Sequence, residues 1–231
     1  MPPRAIMRAA RRPLRVVITA GPTREPIDPV RYLSNYSTGF MGAQLTAAAL
    51  RRGHRVTVVR GPVTEPFPKG ARIVAVERAR QMARALRRHA RRADVIVMAA
   101  AVADFEPVRR AARKLPRRGR QQLFLRATTD IIGTLPRRPG QVVVGFALET
   151  RQAVARARRK LREKRLDLIF AQQADRAGGP FGRRPVTAWL LTRDGRSTRL
   201  GRVSKARAAR ALLDKAEGLW YGGTHVETHA T

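Results

Sequence analysis

The sequence predicts an α/β protein: a Rossmann-like, three-layer parallel sheet with helices on both faces and a small added antiparallel element. Three observations carry this. Short Val-, Ile- and Leu-rich runs alternate with Ala-, Leu- and Arg-rich helical stretches, the order that builds parallel strands joined by crossovers. The runs at 94–101, 142–147 and 166–171 are almost unbroken in apolar residues, as strands covered on both faces require. The chain has 231 residues, 43% of them hydrophobic, enough for one sizeable core.

Residues 1–14 read as a basic N-terminal tail without a secretory apolar segment. Residues 15–20 are a β-branched strand ending in a Gly-Pro turn, and 22–39 are a long polar loop. Such loops are commonly functional. Residues 41–52 form a helix stopped by Gly53, the usual glycine beyond a helix C-terminus. A strand at 55–59, a helix at 77–92 and a strand at 94–101 follow. Residues 105–121, basic and Pro-containing, are a flap or loop, and 122–126 a further strand. Then come a strand at 142–147, a helix at 151–165, strands at 166–171 and 186–192 with an Asp194-Gly195 hairpin signal, and a helix at 203–217. The expected division is one domain over 15–217, with 218–231 as a C-terminal tail.

Cys is absent, which excludes disulfides, thiolate metal sites and Cys nucleophiles. No apolar run is long enough to cross a membrane, and the expected location is the cytoplasm. The net charge is +33. The arginines spread along the whole chain, so the excess fits either a general compositional bias or contact with a polyanion, and non-specific nucleic-acid binding stays open.

In this fold, ligands sit beyond the carboxyl ends of the strands, so the loops after Ala20, Ala101 and Ala147 converge on one site. G-x-G-x-x-G and G-x-x-x-x-G-K-[ST] are both missing, which disfavours a dinucleotide fold and a P-loop NTPase. Ser37 and Thr38 precede a helix, where hydroxyls and N–H groups either cap it or hold a phosphate or carboxylate. The small residues of Ala99-Ala100-Ala101-Val102-Ala103 let a ligand approach the backbone. Asp104 then either accepts from an amino group or ribose or caps a turn. Lys160 and Lys164 share a helix face that suits a polyphosphate or is merely solvated. Lysine is scarce, 6 of 49 basic residues; three chosen basic positions would all be lysine roughly 0.2% of the time, and arginine does not replace a compact, movable ammonium. His225 and His229 lack a third ligand nearby, and no metal site is expected.

The string I-T-A-G-P-T-R-E-P-I-D-P-V-R-Y-L-S-N-Y-S-T-G-F-M-G resembles the start of phosphopantothenate–cysteine ligases of coenzyme A synthesis. A-A-A-V-A-D-F, K-L-P-R, T-T-D-I-I, G-F-A-L-E-T and K-x-x-x-K followed by L-D-L-I-F-A follow in that family's order over about residues 15–192. The resemblance implies a ligase joining 4′-phosphopantothenate to cysteine through an acyl-nucleotide, with Mg²⁺, CTP rather than ATP, and no flavin. It implies a homodimer and a separate decarboxylase as partner. It places Asn35 and Lys114 in catalysis, with Gly21, Asn35, Ser37, Thr38 and Gly39 on the substrate. Met98, Ala99, Ala100, Asp104, Lys114, Thr128, Thr129, Asp130, Ile131, Phe146, Lys160 and Lys164 fall on the nucleotide. The chain departs from the pattern at Phe40, where relatives carry a lysine, at Thr128-Thr129 and at Gln172-Gln173. The alternative is a weakened relative that binds nucleotides or polyanions.

Overall fold

β1 (Arg15–Ala20) buries every residue after its first, because it lies between two parallel neighbours at the middle of the sheet. The computed structural model describes residues 12–174 and 181–223. After β1 come the short strands β2 (Arg24–Pro26) and β3 (Tyr32–Ser34), helix α1 (Phe40–Arg51), strands β4 (Arg55–Arg60) and β5 (Arg72–Ala75), helix α2 (Ala79–Ala90) and strand β6 (Val95–Met98). The chain continues through β7 (Phe105–Pro107), β8 (Leu125–Ala127), β9 (Val142–Glu149), α3 (Ala153–Glu163), β10 (Leu168–Gln173), β11 (Val186–Thr192), β12 (Ser197–Val203) and α4 (Lys205–Gly223).

Eight strands form one sheet in the order β12-β11-β10-β9-β6-β1-β4-β5. The six from β5 to β10 are parallel, and β11 and β12 add an antiparallel edge. Strand order reverses between β1 and β6, the point where doubly wound sheets open a ligand crevice. Alternation along β1 sends Val16, Ile18 and Ala20 to one core and Val17 to the other. The first core is closed by α1 and α4, through Leu45, Ala49, Leu212 and Leu213. The second is closed by α2 and α3, through Met82, Leu86, Ala157 and Leu161. The predicted three-layer architecture is therefore the observed one.

Several local expectations change. The strand predicted at 94–101 ends at Met98; the chain peels away where Thr19 Oγ1 accepts the Ala100 N–H at 3.1 Å, leaving one bridge between Pro22 and Ala101. The 22–39 loop contains the β2–β3 hairpin. The strand expected at 122–126 is β8, which pairs with β7 in a separate two-stranded sheet. β5, whose side chains are mostly exposed, was not predicted. α3 is shorter than 151–165, bracketed by Gln152 and Arg165 at positive φ. Helix α4 runs past 217 to Gly223, because Leu219, Trp220 and Tyr221 pack on the first core. At the other end, Leu14 of the expected tail is fully buried. His225 and His229 lie outside the described residues. Among the described residues no helix is long and apolar enough to cross a membrane.

Candidate functional site

A cavity of about 470 Å³ opens where the carboxyl ends of β6, β9 and β10 meet the start of α1. The small-residue loop after β6 forms one wall. Backbone bonds from Ala101 N–H to Gly21 O at 2.9 Å and from Thr23 N–H to Ala101 O at 3.3 Å hold that loop. Thr23 Oγ1 accepts the Ala103 N–H at 2.9 Å. Asn35 Nδ2 donates to Ala101 O at 3.1 Å and Val102 O at 3.0 Å. These ties hold the Ala99–Val102 loop against the cavity, and that loop itself carries no side chain larger than valine.

The start of α1 forms the second wall. Gly39, at φ 81°, ends the preceding loop in a conformation that disfavours a side chain. A Cβ on Gly42 would lie 2.4 Å from Ala20 Cβ, so the first helical turn rests directly on the end of β1. The Gly39 and Phe40 N–H groups donate to Ser37 Oγ and Thr38 Oγ1 at 3.4 and 3.3 Å. No acid occupies the first turn, leaving the helix dipole positive toward the cavity.

The third wall is 128–132. Thr128 Oγ1 donates to Ala103 O at 2.6 Å. Asp130 forms an ion pair with Lys164 and accepts the Gly133 N–H at 3.0 Å. Burial acts to raise the Asp130 carboxyl, but these bonds and the charges of Lys164 and Lys160 outweigh it and hold it below the ordinary carboxylate range.

Three lysines reach the cavity. Lys160 Nζ donates to Phe146 O at 2.9 Å; burial lowers its pKa, against the opposing charges of Asp104 and Glu149. Lys164 is the α3 C-cap residue. Lys205 opens α4 after Ser204, whose Oγ accepts the Arg207 N–H at 3.3 Å. Its ammonium is buried, donates to Gly182 O at 2.6 Å and is pushed down to about 8 by desolvation. The Phe40 ring lies 4.9 Å from the Arg183 guanidinium and 6.0 Å from the Lys205 ammonium. Two neighbouring cations thus border the ring that stands where the sequence resemblance carries a lysine.

Ser37, Thr38, Gly39, Met98, Ala99, Ala100, Asp104, Thr128, Thr129, Asp130, Ile131, Phe146, Lys160 and Lys164 all line this one cavity. Gly21, Asn35 and Lys114 do not. Gly21 and Asn35 support the loop from behind. Lys114 is exposed, on a segment bound to the β2–β3 connection through Leu115. Sequence reasoning missed Phe40 as a lining residue, together with Gln172, Phe181, Gly182 and Lys205. The buried Gln172 Oε1 has no hydrogen-bond partner among the described residues.

The arrangement suits an anion-rich ligand: three ammonium groups, a helix N-terminus and hydroxyls face an open backbone edge. Among the described residues no cluster of three His, Cys, Asp or Glu is placed to hold a metal.

Residues 12–219 match the family model described as DNA/pantothenate metabolism flavoprotein C-terminal domain. The coenzyme A biosynthesis bifunctional protein CoaBC of Bacillus subtilis (strain 168) is 39% identical over 207 residues, covering 88% of this chain and 51% of that protein. A protein named cysteine/cysteine sulfinic acid decarboxylase, from an unknown prokaryotic organism, is 38% identical over 205 residues, covering 87% of this chain and 57% of that one. The crystal structure of the C-terminal domain of CoaBC matches with a TM-score of 0.78 and 33% identity, covering 92% of this chain and 98% of that one. This chain spans about half the length of the curated relatives it matches.

Proposed function

This chain belongs to the DNA/pantothenate metabolism flavoprotein C-terminal domain family, and we propose that it is the phosphopantothenate–cysteine ligase of coenzyme A synthesis. The observation that carries the reading is that Lys160, Lys164 and Lys205 line one cavity together with the α1 N-terminus, in a chain with no P-loop. A triphosphate and a carboxylate held side by side need such cations.

In the proposed reaction a carboxylate oxygen of 4′-phosphopantothenate attacks the α-phosphorus of CTP. An acyl-phosphate bond forms and pyrophosphate leaves. The cysteine amine then attacks the acyl carbon, giving an amide, a proton and CMP. Lys160 and Lys164 bind the triphosphate, Asp104 and the Ala99–Ala100 backbone bind the nucleoside, and Thr128, Thr129, Ile131 and Phe146 shape its pocket. Ser37, Thr38 and Gly39 receive the acid substrate. Asn35 orients the reacting carboxyl, and Lys114 reaches the site when its segment moves inward. Exclusion of water protects the acyl-nucleotide.

Mg²⁺ bound to nucleotide phosphates usually needs only one or two protein carboxylates. Asp104 and Asp130 line the cavity and fit that demand. The ion would neutralise phosphate charge. A flavin has no part in this reading. A homodimer is supported by exposed Tyr32, Phe105, Phe124 and Leu125 on or beside the two small hairpins. A separate decarboxylase partner and a cytoplasmic location complete the proposal.

The test is pyrophosphate release by the purified chain with 4′-phosphopantothenate and Mg²⁺, with CTP and ATP offered separately. Release that requires phosphopantothenate, with amide formed only on adding cysteine, is the expected result. No release with either nucleotide from folded protein overturns the reading.

A further inference from the structure

The opposite ends of the parallel strands carry a second concavity, of about 800 Å³. Its rim holds the first residues of three neighbouring strands, Arg15 of β1, Arg55 of β4 and Arg72 of β5. Five further arginines come from the 84–92 stretch of α2 and the turn after it. Eight of its thirteen lining residues are therefore arginine, and none is acidic.

What marks this cleft is the gathering of eight arginines around one concavity with no acid in its lining. Among the described residues, none of these eight arginines takes part in an ion pair. The nearby carboxylate of Asp94 is already engaged by Arg12 and the Arg15 backbone N–H. His89, also in the lining, is held below its ordinary pKa by burial and by the charges of Arg72 and Arg88. Like charges gathered around one concavity repel, and an anion that enters it relieves that repulsion. Guanidinium forks match phosphate oxygens two at a time. No Phe, Tyr or Trp lines the cleft, so it lacks the large aromatic platforms on which single-stranded bases stack.

We propose that this cleft binds a linear chain of phosphates, as presented by single-stranded RNA or inorganic polyphosphate, through backbone charge and without reading sequence. It lies at the far ends of the strands from the lysine-lined cavity, so both sites are open at once.

The test is fluorescence anisotropy of a labelled oligouridine on the whole chain, repeated between about 50 and 200 mM salt. The cleft variant replaces Arg55, Arg72, Arg88 and Arg92 with Gln. A charge-matched control replaces Arg158, Arg162, Arg199 and Arg202, exposed on α3 and β12. The cleft variant is expected to bind about tenfold or more weakly, and its slope of log affinity on log salt to fall by about 2–3. The control should stay within about twofold of the parent protein. Equal losses in both variants, or no binding by the parent protein, overturn the cleft. Lysine at the same four positions should restore most of the affinity; failure to do so overturns a charge-based site. Competition by polyphosphate as well as by unlabelled RNA supports the phosphate chain as the recognised feature. Competition by RNA alone overturns recognition through phosphates.

Discussion

The buried carboxylate of Asp28 accepts the backbone N–H of Leu115 at 3.1 Å, although 87 residues separate them. Arg31 completes the latch: it pairs with Asp28 and donates to Leu115 O at 2.8 Å. Lys114 therefore sits beside a fixed point. Asp28→Ala should release the 109–118 segment, and trypsin should cut it about tenfold faster while the core stays intact. Limited proteolysis with mass spectrometry reads this directly. Burial opposes ionisation of Asp28, but the Arg31 bond and the N–H groups of Val30, Leu115 and Arg31 win and hold its pKa well below the usual range. The folded value lies under the unfolded one of about 3.9. The latch thus contributes fully above about pH 4 and is lost only as pH falls further. Protease resistance of this segment should be flat from pH 6 to pH 8.

Lys205 gives the opposite pH signature. Burial pushes its ammonium down to about 8 in the folded protein, below the value near 10.4 of the unfolded chain. Between those values the unfolded chain binds more protons, so folding stability rises with pH. Lys205→Met should flatten that rise in urea titrations at pH 8 and 10. Pyrophosphate affinity should fall above about pH 8 in the parent protein and not in the variant.

Lys160 and Lys164 differ in what they also hold. Lys160→Ala should weaken CTP binding by about 10- to 100-fold, the usual cost of losing a charged hydrogen-bond donor. Lys160→Arg should not restore it, because the compact ammonium bonds Phe146 O from inside the cavity. Lys164→Met should in addition let the Asp130 carboxyl rise toward its ordinary value, visible in an NMR titration of that side chain.

Gly42→Ala should cost about 1–3 kcal/mol through overpacking against Ala20. It should also tilt the α1 N-terminus and weaken anion binding. Calorimetry and phosphate titration of one sample check both effects.

The long buried strands were legible because they are covered on both faces and so read as plain apolar runs, as Val142–Val144 and Leu168–Ala171 do. β2, β3 and β7 are three residues each and leave no period to read. Most of the cavity was legible through ordered motifs rather than through any one residue. Lys205 was not, because it reaches the site from the start of the last helix, where sequence shows only another basic position. Lys114 stands outside the cavity, on a segment tethered to Asp28 through Leu115, a contact that nothing local in the sequence reveals. The arginine cleft escaped for a related reason: residues 15, 55, 72 and 84–92 meet only when the sheet forms.

The last turn of α4 packs against the first described residues. Tyr221 Oη donates to Arg12 O at 2.9 Å, and the Arg12 guanidinium lies 4.4 Å from the centre of the Trp220 ring. Both ends of the described body therefore emerge at one pole. A circular permutant that joins them by a short glycine-rich linker and opens the chain at the Asp194-Gly195 hairpin should keep the same fold. Any domain appended at either end would begin from that same corner of the molecule.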